Sequence, residues 1–273
     1  MVLPIDLFLL RHGASEANDV YRLGANGDMS GYTEEFKNIL PSDYRLSDLG
    51  QEQARKAGIW LKEHGFDTFG YYRHSSYLRA KETAGHLGLK NPEWRENHVL
   101  REVAHGDMDG LSRAEQEENF PEFVRKMKID AFHTMPPNGE SIAQMTDRLR
   151  WVLLELEKRP NDKNAILVCH SDVMWGFTQL IEEMPIPDWQ KINSSKDPFH
   201  QIHNCQIIQY SRRNPDTGDI GPYWNWVRWV CPWNESLSRG TWGEVHQPYY
   251  GNEELLAQVD MYPRLPQLQR PHR

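Results

Sequence analysis

The stretch Ile5-Asp6-Leu7-Phe8-Leu9-Leu10-Arg11-His12-Gly13 decides the fold, because an apolar run turns abruptly into charged and flexible residues. The run over residues 5–10 is typical of a central strand of a parallel sheet, buried on both faces. At its end, Arg11 offers planar donors for phosphate oxygens, and the neutral ring of His12 keeps a nucleophilic lone pair. By itself, the triplet is equally compatible with an ordinary strand-end loop.

A second apolar run, over residues 165–169, ends in His170 just as the first ends in His12. In parallel α/β sheets, binding sites gather at the carboxyl ends of the strands. We therefore predict an α/β fold in which both imidazoles face one crevice, although they lie far apart in the sequence.

Helical patterns dominate between these two runs. Apolar residues recur at helical spacing over residues 47–64 and 141–158, and a more polar helical stretch over residues 112–128 is interrupted by Pro121. We expect that polar stretch to cover the site from outside. The glycine-rich residues 20–45 show little periodicity and predict a long excursion near the mouth of the pocket, where substrate selection is expected.

The last third of the chain begins with a predicted β-hairpin over residues 205–212 and 223–230, which flank a strong turn sequence. We expect one domain over residues 1–235, with insertions near 20–45 and 105–135. The tail over residues 236–273 lacks a period, and we expect it to pack on the domain. Association into a homo-oligomer through this tail stays open.

Composition restricts the class of partner. The chain has 273 residues, a formal net charge of −8 and three cysteines without a Cys-x-x-Cys pair. The negative charge argues against binding nucleic acid through a general basic surface. The sequence has no signal-peptide pattern and no apolar run of membrane-spanning length, and an odd cysteine count favours a reducing compartment. We expect a cytoplasmic protein with neither a membrane nor a nucleic-acid partner.

Five further motifs follow Arg11-His12-Gly13 along the chain. They are Leu46-Ser47-Asp48-Leu49-Gly50, Ser75-Ser76-Tyr77-Leu78-Arg79-Ala80, Leu100-Arg101-Glu102, Pro137-Asn138-Gly139-Glu140-Ser141 and Val168-Cys169-His170. In this order they resemble the histidine phosphatase superfamily, and more narrowly its phosphoglycerate mutase-like branch, over about residues 7–170. The resemblance implies a three-layer α/β/α sandwich with a mostly parallel central sheet.

The resemblance also implies that His12 attacks phosphorus and becomes a phosphohistidine intermediate. Arg11, Arg79 and His170 would form the positive cradle that phosphoryl transfer needs, without a metal or another cofactor. Glu102 matches the family's acid, which protonates the leaving group and later activates water. Asp107 and Asp109 are the alternatives for that role.

Five other residues are candidates for supporting roles. Asn18 would add a neutral donor to the phosphate, and Ser15 would either touch the phosphate or hold the turn after the strand. Ser171 opens the predicted helix after His170, where a phosphate contact is expected. Glu140 and Ser141 either cap the following helix or orient His12 from behind.

Two departures from the mutases of this branch favour hydrolysis. The glycine-rich residues 20–45 replace a short tryptophan-containing loop. The sequence Glu102-Val103-Ala104-His105-Gly106 replaces the usual Glu-Arg-His-Tyr-Gly motif. We therefore expect a phosphatase that acts on a small phosphorylated substrate. The alternatives are mutase-type phosphoryl transfer and a non-catalytic module that binds a phosphorylated ligand.

Two other groups of residues carry alternative interpretations. His200, His203 and Cys205 have a spacing that is compatible with a metal site. A second group is aromatic and would either stack a ligand ring or pack on the core: Tyr223, Trp224, Trp226 and Trp229.

Overall fold

The computed structural model describes residues 3–158 and 163–262, and its strands form one sheet. The strands are β1 (Asp6–Arg11), β2 (Tyr71–His74), β3 (Arg95–Glu96), β4 (Ala165–Cys169), β5 (Ile207–Ser211), β6 (Trp226–Val230) and β7 (Gly243–Glu244). Their order across the sheet is β3-β2-β4-β1-β5-β6-β7. Strands β1 to β4 pair in parallel, and β5 to β7 extend one side with antiparallel pairs. The core of the sheet is therefore parallel, as the sequence predicted.

The helices are α1 (Glu16–Ala25), α2 (Glu34–Asn38), α3 (Asp48–Glu63), α4 (Leu78–His86), α5 (Arg113–Asn119), α6 (Pro121–Ile129), α7 (Ile142–Lys158), α8 (Ser171–Ile181), α9 (Ile186–Asn193) and α10 (Asn252–Asp260). Single 3-10 turns lie at His98–Leu100, Gly106–Met108, Pro198–His200 and Glu235–Leu237. The predicted helices over residues 47–64 and 141–158 are α3 and α7. Pro121 separates α5 from α6, because a proline is tolerated only in the first turn of a helix.

Alternating residues of the central strands build a core on each face of the sheet. Leu7 and Leu9 of β1 pack with α7 and α8, whereas Phe8 and Leu10 pack with α3 and α4. Gly176 of α8 permits close contact with α7, since an added Cβ would lie 2.7 Å from Leu149 Cδ1. Helices thus cover both faces, and the fold is a three-layer α/β/α sandwich.

Residues 20–45 are not the unstructured excursion that their glycines suggested. The side chain of Ser15 caps α1, which extends to residue 25, and that of Thr33 caps α2. Phe36 and Tyr44 form a small separate core with Ala17. The capping pattern Ser15-x-x-Asn18 was the local signal for α1, and the aromatic packing partners lie too far along the chain for a periodicity to show them.

The predicted hairpin is formed by β5 and β6, but the aromatic group beside it is mostly structural. Trp224 and Trp229 are buried in the core, whereas Tyr223 is 68% exposed. Of the tail, β7 pairs with β6, and Gln247 Nε2 donates to the Ile181 carbonyl at 3.1 Å. Helix α10 is exposed along its length, and residues 263–273 lie outside the described residues. The division at residue 235 stays a prediction.

The three cysteines are buried and free. His200, His203 and Cys205 do not come together as ligands, and within residues 3–158 and 163–262 no three His, Cys, Asp or Glu side chains form a group that could hold a metal ion. His203 Nε2 instead donates to the Pro198 carbonyl at 3.0 Å. None of the helices in these ranges is long and apolar enough to cross a membrane.

Candidate active site

The carboxyl ends of neighbouring parallel strands bring the two histidines together. Arg11 of β1 is level with Cys169 of β4, and the His12 amide donates to the Cys169 carbonyl at 3.0 Å. The rings of His12 and His170 lie 5.1 Å apart between centroids. Ser75, directly after β2, shares a 2.8 Å hydrogen bond between its Oγ and His170 Nε2.

The loop after β1 is fixed by close contact with helix α3. A Cβ on Gly13 would lie 2.3 Å from the carbonyl oxygen of Gly50, so no larger residue fits without displacing backbone. The Gly13 amide donates to Thr83 Oγ1 at 3.0 Å, and the Ala14 amide donates to Gln53 Oε1 at 2.9 Å. These contacts hold the backbone beside His12 in one position.

Hydrogen bonds at both ring nitrogens define the tautomer of His12. Nδ1 lies 2.7 Å from the Gly13 carbonyl, which can only accept, so Nδ1 carries the proton. Arg79 Nε, which can only donate, lies 3.1 Å from Nε2. The lone pair therefore resides on Nε2. Burial, together with the positive charges of Arg79 and Arg11, holds the pKa of His12 well below its usual value, which keeps the ring neutral.

Two buried guanidinium groups flank His12. Arg79 Nη1 donates to the Pro41 carbonyl at 2.6 Å, and Arg11 Nη1 donates to the Ile202 carbonyl at 2.5 Å. Arg11 Nε is buried without a hydrogen-bond partner. Burial lowers the pKa of both side chains, but arginine remains protonated in proteins. They concentrate positive charge where an anion has access to the nucleophilic nitrogen of His12.

Glu102 is the carboxyl group best suited to donate a proton at this site. Burial, and then the neighbouring charge of Asp172, raise its pKa to about 8, against the opposing effect of Arg79. Its Oε1 accepts from the Val103 amide at 3.1 Å. Of the two alternatives, Asp107 is exposed and accepts from the amide of Asn138 at 3.1 Å, outside the cavity, whereas Asp109 lines the cavity.

Glu140 and Ser141 do not contact His12, so the expectation that they orient its ring is wrong. Ser141 Oγ accepts from the Gln144 amide at 3.2 Å and caps α7. Glu140 accepts from Arg148 Nε at 2.8 Å and from Nη2 at 3.0 Å. The carbonyl of Gly13, the next residue in the chain, orients the His12 ring instead, because it accepts a hydrogen bond from Nδ1.

Arg148 connects Glu140 to the backbone that carries Glu102. Its guanidinium, which is mostly buried, donates to the carbonyls of Val99, of Arg101 at 2.8 Å and of Glu102 at 3.3 Å. One side chain of α7 thus holds the loop on both sides of the acid. Arg101 completes the group with a 3.5 Å ion pair to Glu140.

The polar candidates differ in how free they are to bind a ligand. Asn18 Oδ1 accepts from the Ser15 amide and from Asn204 Nδ2 at 3.0 Å, which leaves the Asn18 amide nitrogen as its donor toward the cavity. Ser15 Oγ is engaged in capping α1. Ser171 Oγ lies 3.5 Å from Glu102 Oε2, a long contact, and also faces the cavity.

His170 lies behind the site rather than in its wall. The ring is fully buried, contacts His12 and Tyr77, and is not among the cavity-lining residues that the structure describes. Burial and the charge of Arg79 lower its pKa well below the usual value. Its Nδ1 is buried without a hydrogen-bond partner.

These side chains surround a cavity of about 190 Å³. The residues that line it are Arg11, His12, Ser15, Ala17, Asn18, Tyr21, Pro41, Tyr44, Tyr77, Arg79, Glu102, Val103, His105, Asp109, Ser171 and Asp172. The stretch 20–45 contributes three of them, while no residue of 112–128 is among these lining residues, contrary to the expectation that this helical stretch covers the site. A nucleophilic nitrogen, two cations and a protonated carboxyl share one small space.

The sequence analysis missed four residues that shape the site: Ser75, Arg148, Asp172 and Asn204. Ser75 follows β2 as His12 follows β1, so the strand-end argument applies to it equally. Asn204 is one residue before Cys205, and its Nδ2 donates to the His12 carbonyl at 3.1 Å. Nothing local identifies Arg148, because its partners lie more than forty residues away along the chain.

Comparison with known proteins agrees with this geometry. The model of the histidine phosphatase superfamily (branch 1) matches residues 7–212. The chain belongs to this superfamily. Among curated members, human 6-phosphofructo-2-kinase/fructose-2,6-bisphosphatase 4 is 29% identical over 217 residues, which cover 77% of this chain and 39% of that protein.

A further curated relative and a solved structure are also similar to this chain. A Schizosaccharomyces pombe protein named "Probable fructose-2,6-bisphosphatase" is 26% identical over 75% of this chain and 44% of its own length. The chain thus spans about two fifths of the length of these two curated relatives. A structure of mycobacterial glucosyl-3-phosphoglycerate phosphatase with inorganic phosphate has a TM-score of 0.56 and 23% identity, and covers 76% of this chain and 89% of that one.

Proposed function

We propose that this chain hydrolyses small phosphomonoesters through a phosphohistidine intermediate at His12, with Glu102 as the general acid and base. One observation carries the proposal: the unprotonated Nε2 of His12 accepts from Arg79 Nε at 3.1 Å in a cavity that Arg11 and Glu102 also line. A neutral imidazole nucleophile, cations for the phosphoryl oxygens and a protonated acid are the groups that this chemistry requires.

In the first step, the phosphoryl group takes the place of the ring nitrogen as the acceptor for Arg79. Arg11 and the Asn18 amide donate to the other non-bridging oxygens. Nε2 attacks phosphorus in line, the ester P–O bond breaks, and Glu102 transfers its proton to the departing oxygen. Nδ1 keeps its proton and donates it in a hydrogen bond to the Gly13 carbonyl, which stabilises the positive charge that develops on the ring.

In the second step, water replaces the departed alcohol. Ionised Glu102 takes a proton from the water, whose oxygen bonds to phosphorus while the P–Nε2 bond breaks. Inorganic phosphate leaves, and His12 regains its lone pair. The raised pKa of Glu102 suits this double role, because the group is protonated before the first step and remains basic enough for the second.

Positive charge from Arg11 and Arg79 is the basis for proposing catalysis without a metal or another cofactor. The names of the curated relatives favour hydrolysis over mutase-type transfer.

The small cavity and the net negative charge support a small phosphorylated substrate rather than a membrane or nucleic acid. Three free, buried cysteines support the proposal of a cytoplasmic setting. His170, which lies behind His12 and outside the cavity lining, packs against the His12 ring in this proposal and does not contact the phosphate.

The test is a metal-free screen of phosphomonoesters with the parent chain and His12→Ala. We expect phosphate release by the parent and a loss of at least about a thousandfold in the variant. Equal turnover by both would reject His12 as the nucleophile.

Incubation with 3-phosphoglycerate and a bisphosphate primer tests the mutase alternative. Isomer formation without release of free phosphate would establish that alternative. Ligand binding without any turnover would establish the binding-module alternative.

A further inference from the structure

The cavity has two chemically different halves. Its inner half holds His12, the two guanidinium groups and Glu102. Beside His105, the rest of its lining, called the outer half, includes three tyrosines and one further carboxylate. These residues are Tyr21, Tyr44, Tyr77 and Asp109. The reacting phosphate occupies the inner half in the proposed mechanism, so the outer half receives the leaving group.

The Lys and Arg side chains that line the cavity lie at its phosphate end. Among the lining residues that the structure describes, the Lys and Arg side chains are Arg11 and Arg79, and both adjoin His12. Two cations near the cavity are already paired: Lys37 with Glu115 at 2.7 Å, and Arg101 with Glu140. Apart from His105, whose charge acts on Asp109, a second anionic group on a substrate meets no Lys or Arg side chain in the outer half.

Asp109 adds negative charge to that half. Its charge acts on Tyr21, Tyr44 and Tyr77, which places it among the three rings. Across the described residues its carboxylate has no hydrogen-bond partner, so its oxygens are available as acceptors. Burial opposes the ionised form and raises its pKa, a cost that a hydroxyl or ammonium donor on a ligand would reduce.

The aromatic wall is built before any ligand arrives. Tyr44 stacks on Phe36 at 5.2 Å between centroids, and its hydroxyl donates to the Phe36 carbonyl at 3.2 Å. Tyr21 packs edge-on against the same ring at 5.8 Å. Arg79 covers Tyr77 at 4.8 Å from the ring centroid. Fixed rings beside one acceptor suit the C–H faces and hydroxyl groups of a sugar-like ring.

We propose that this site selects phosphomonoesters whose only anionic group is the reacting phosphate, with a hydroxyl-bearing leaving group that packs on Tyr21 and Tyr44 and donates to Asp109. This selectivity rests on the hydrolytic function proposed above. A carboxylate or a second phosphate on the leaving group meets Asp109 and is disfavoured, whereas an added ammonium group is accepted.

Three six-carbon phosphomonoesters of nearly equal size test the charge rule: glucose 6-phosphate, glucosamine 6-phosphate and the open-chain carboxylate 6-phosphogluconate. For the parent, we expect kcat/KM for glucose 6-phosphate to exceed that for 6-phosphogluconate at least tenfold. Glucosamine 6-phosphate should perform at least as well as glucose 6-phosphate. Equal or better turnover of 6-phosphogluconate would overturn the proposal.

Three variants assign the selectivity to this wall. Asp109→Asn should reduce the preference against 6-phosphogluconate at least threefold, and so should Tyr21→Lys, which adds a cation at a partly exposed position. The matched control is Asp107→Asn, an aspartate in the same loop but outside the cavity. A preference that neither Asp109→Asn nor Tyr21→Lys changes would contradict the assignment, even if one of the two fails to fold.

Binding measurements separate this proposal from the hydrolytic function. Calorimetric titration of His12→Ala with the same three ligands needs no turnover. If the parent hydrolyses none of the esters but His12→Ala still binds glucose 6-phosphate at least tenfold more tightly than 6-phosphogluconate, the function fails and the selectivity holds. If turnover depends on His12 but neither kcat/KM nor Kd favours the singly charged ester, the selectivity alone is overturned.

Discussion

Replacement of Asp172 by asparagine is expected to move the alkaline limb of the pH–rate profile to lower pH. Glu102 must be protonated to act as an acid, and its pKa is raised to about 8 by burial and by Asp172. With that pKa, about 90% of the chains hold the proton at pH 7, against about 0.3% for an ordinary glutamate of pKa 4.5. We therefore expect activity below about pH 8 and its loss above that pH.

The size of the displacement follows from simple electrostatics. Glu102 and Asp172 line the same cavity. At an effective dielectric constant near 20, two like charges repel each other by about 4 kcal/mol at 4 Å and by about half of that at twice the separation, so a neighbouring carboxylate contributes on the order of one to three pH units. Water in the open cavity screens part of this repulsion, so we expect the midpoint to fall by about one pH unit. The burial contribution stays, which keeps the pKa of Glu102 above that of an exposed glutamate.

The assay measures kcat/KM of an alkyl phosphate from pH 3.5 to 10 for the parent and for Asp172→Asn. Both proteins see the same ester, so the ionisation of the substrate cancels in the comparison. A phenyl ester with an acidic leaving group is the internal control, because it needs little help from an acid. Asp107→Asn is the protein control. A folded Asp172→Asn whose alkaline limb coincides with that of the parent would refute the reasoning, and so would a parent whose activity already falls near pH 4.5.

Three further perturbations test separate parts of the account. Arg148→Lys removes the donors that hold the backbone of the acid, and kcat should fall at least tenfold with little change in KM; Arg150→Lys, on the exposed side of the same helix, should leave both parameters unchanged. A kcat equal to that of the parent would count against this positioning role. Gly13→Ala places a Cβ 2.3 Å from the Gly50 carbonyl, and a melting temperature lowered by several degrees with loss of turnover is expected; Gly85→Ala, in a helix with open space, should be neutral or stabilising. An intact Gly13→Ala enzyme would contradict the close approach. Prolonged dialysis against EDTA should leave phosphate release within about twofold of its starting value, and loss of activity restored by a divalent ion would overturn metal-independent catalysis.

The sequence predicted those parts of the fold and site that depend on local patterns. Uninterrupted apolar runs gave β1 and β4, and their parallel pairing placed the rings of His12 and His170 together. The two-residue strands β3 and β7 left no pattern to recognise, because each contributes one edge pairing rather than a buried run. Glu102 was selected from a resemblance, and its raised pKa depends on burial and on Asp172, which only the folded chain shows.

Long-range polar contacts were beyond the reach of the sequence. Glu140 was one candidate to orient His12, but its partner is Arg148, eight residues later in α7. Arg148 in turn holds the carbonyl of Arg101, 47 residues earlier in the chain. The glycines of residues 20–45 suggested a loop, whereas packing of Phe36 against Tyr44 orders the segment and turns it into a wall of the cavity. Such partners follow from tertiary packing, which no spacing rule encodes.

Trapping the covalent intermediate tests the central claim most directly. Parent protein is mixed with a labelled phosphomonoester, quenched in alkali within milliseconds, and digested for mass spectrometry under conditions that preserve phosphohistidine. We predict one phosphoryl group per chain on Nε2 of His12, absent from His12→Ala. Label on another residue, or an undiminished burst of labelled His12→Ala, would contradict the account.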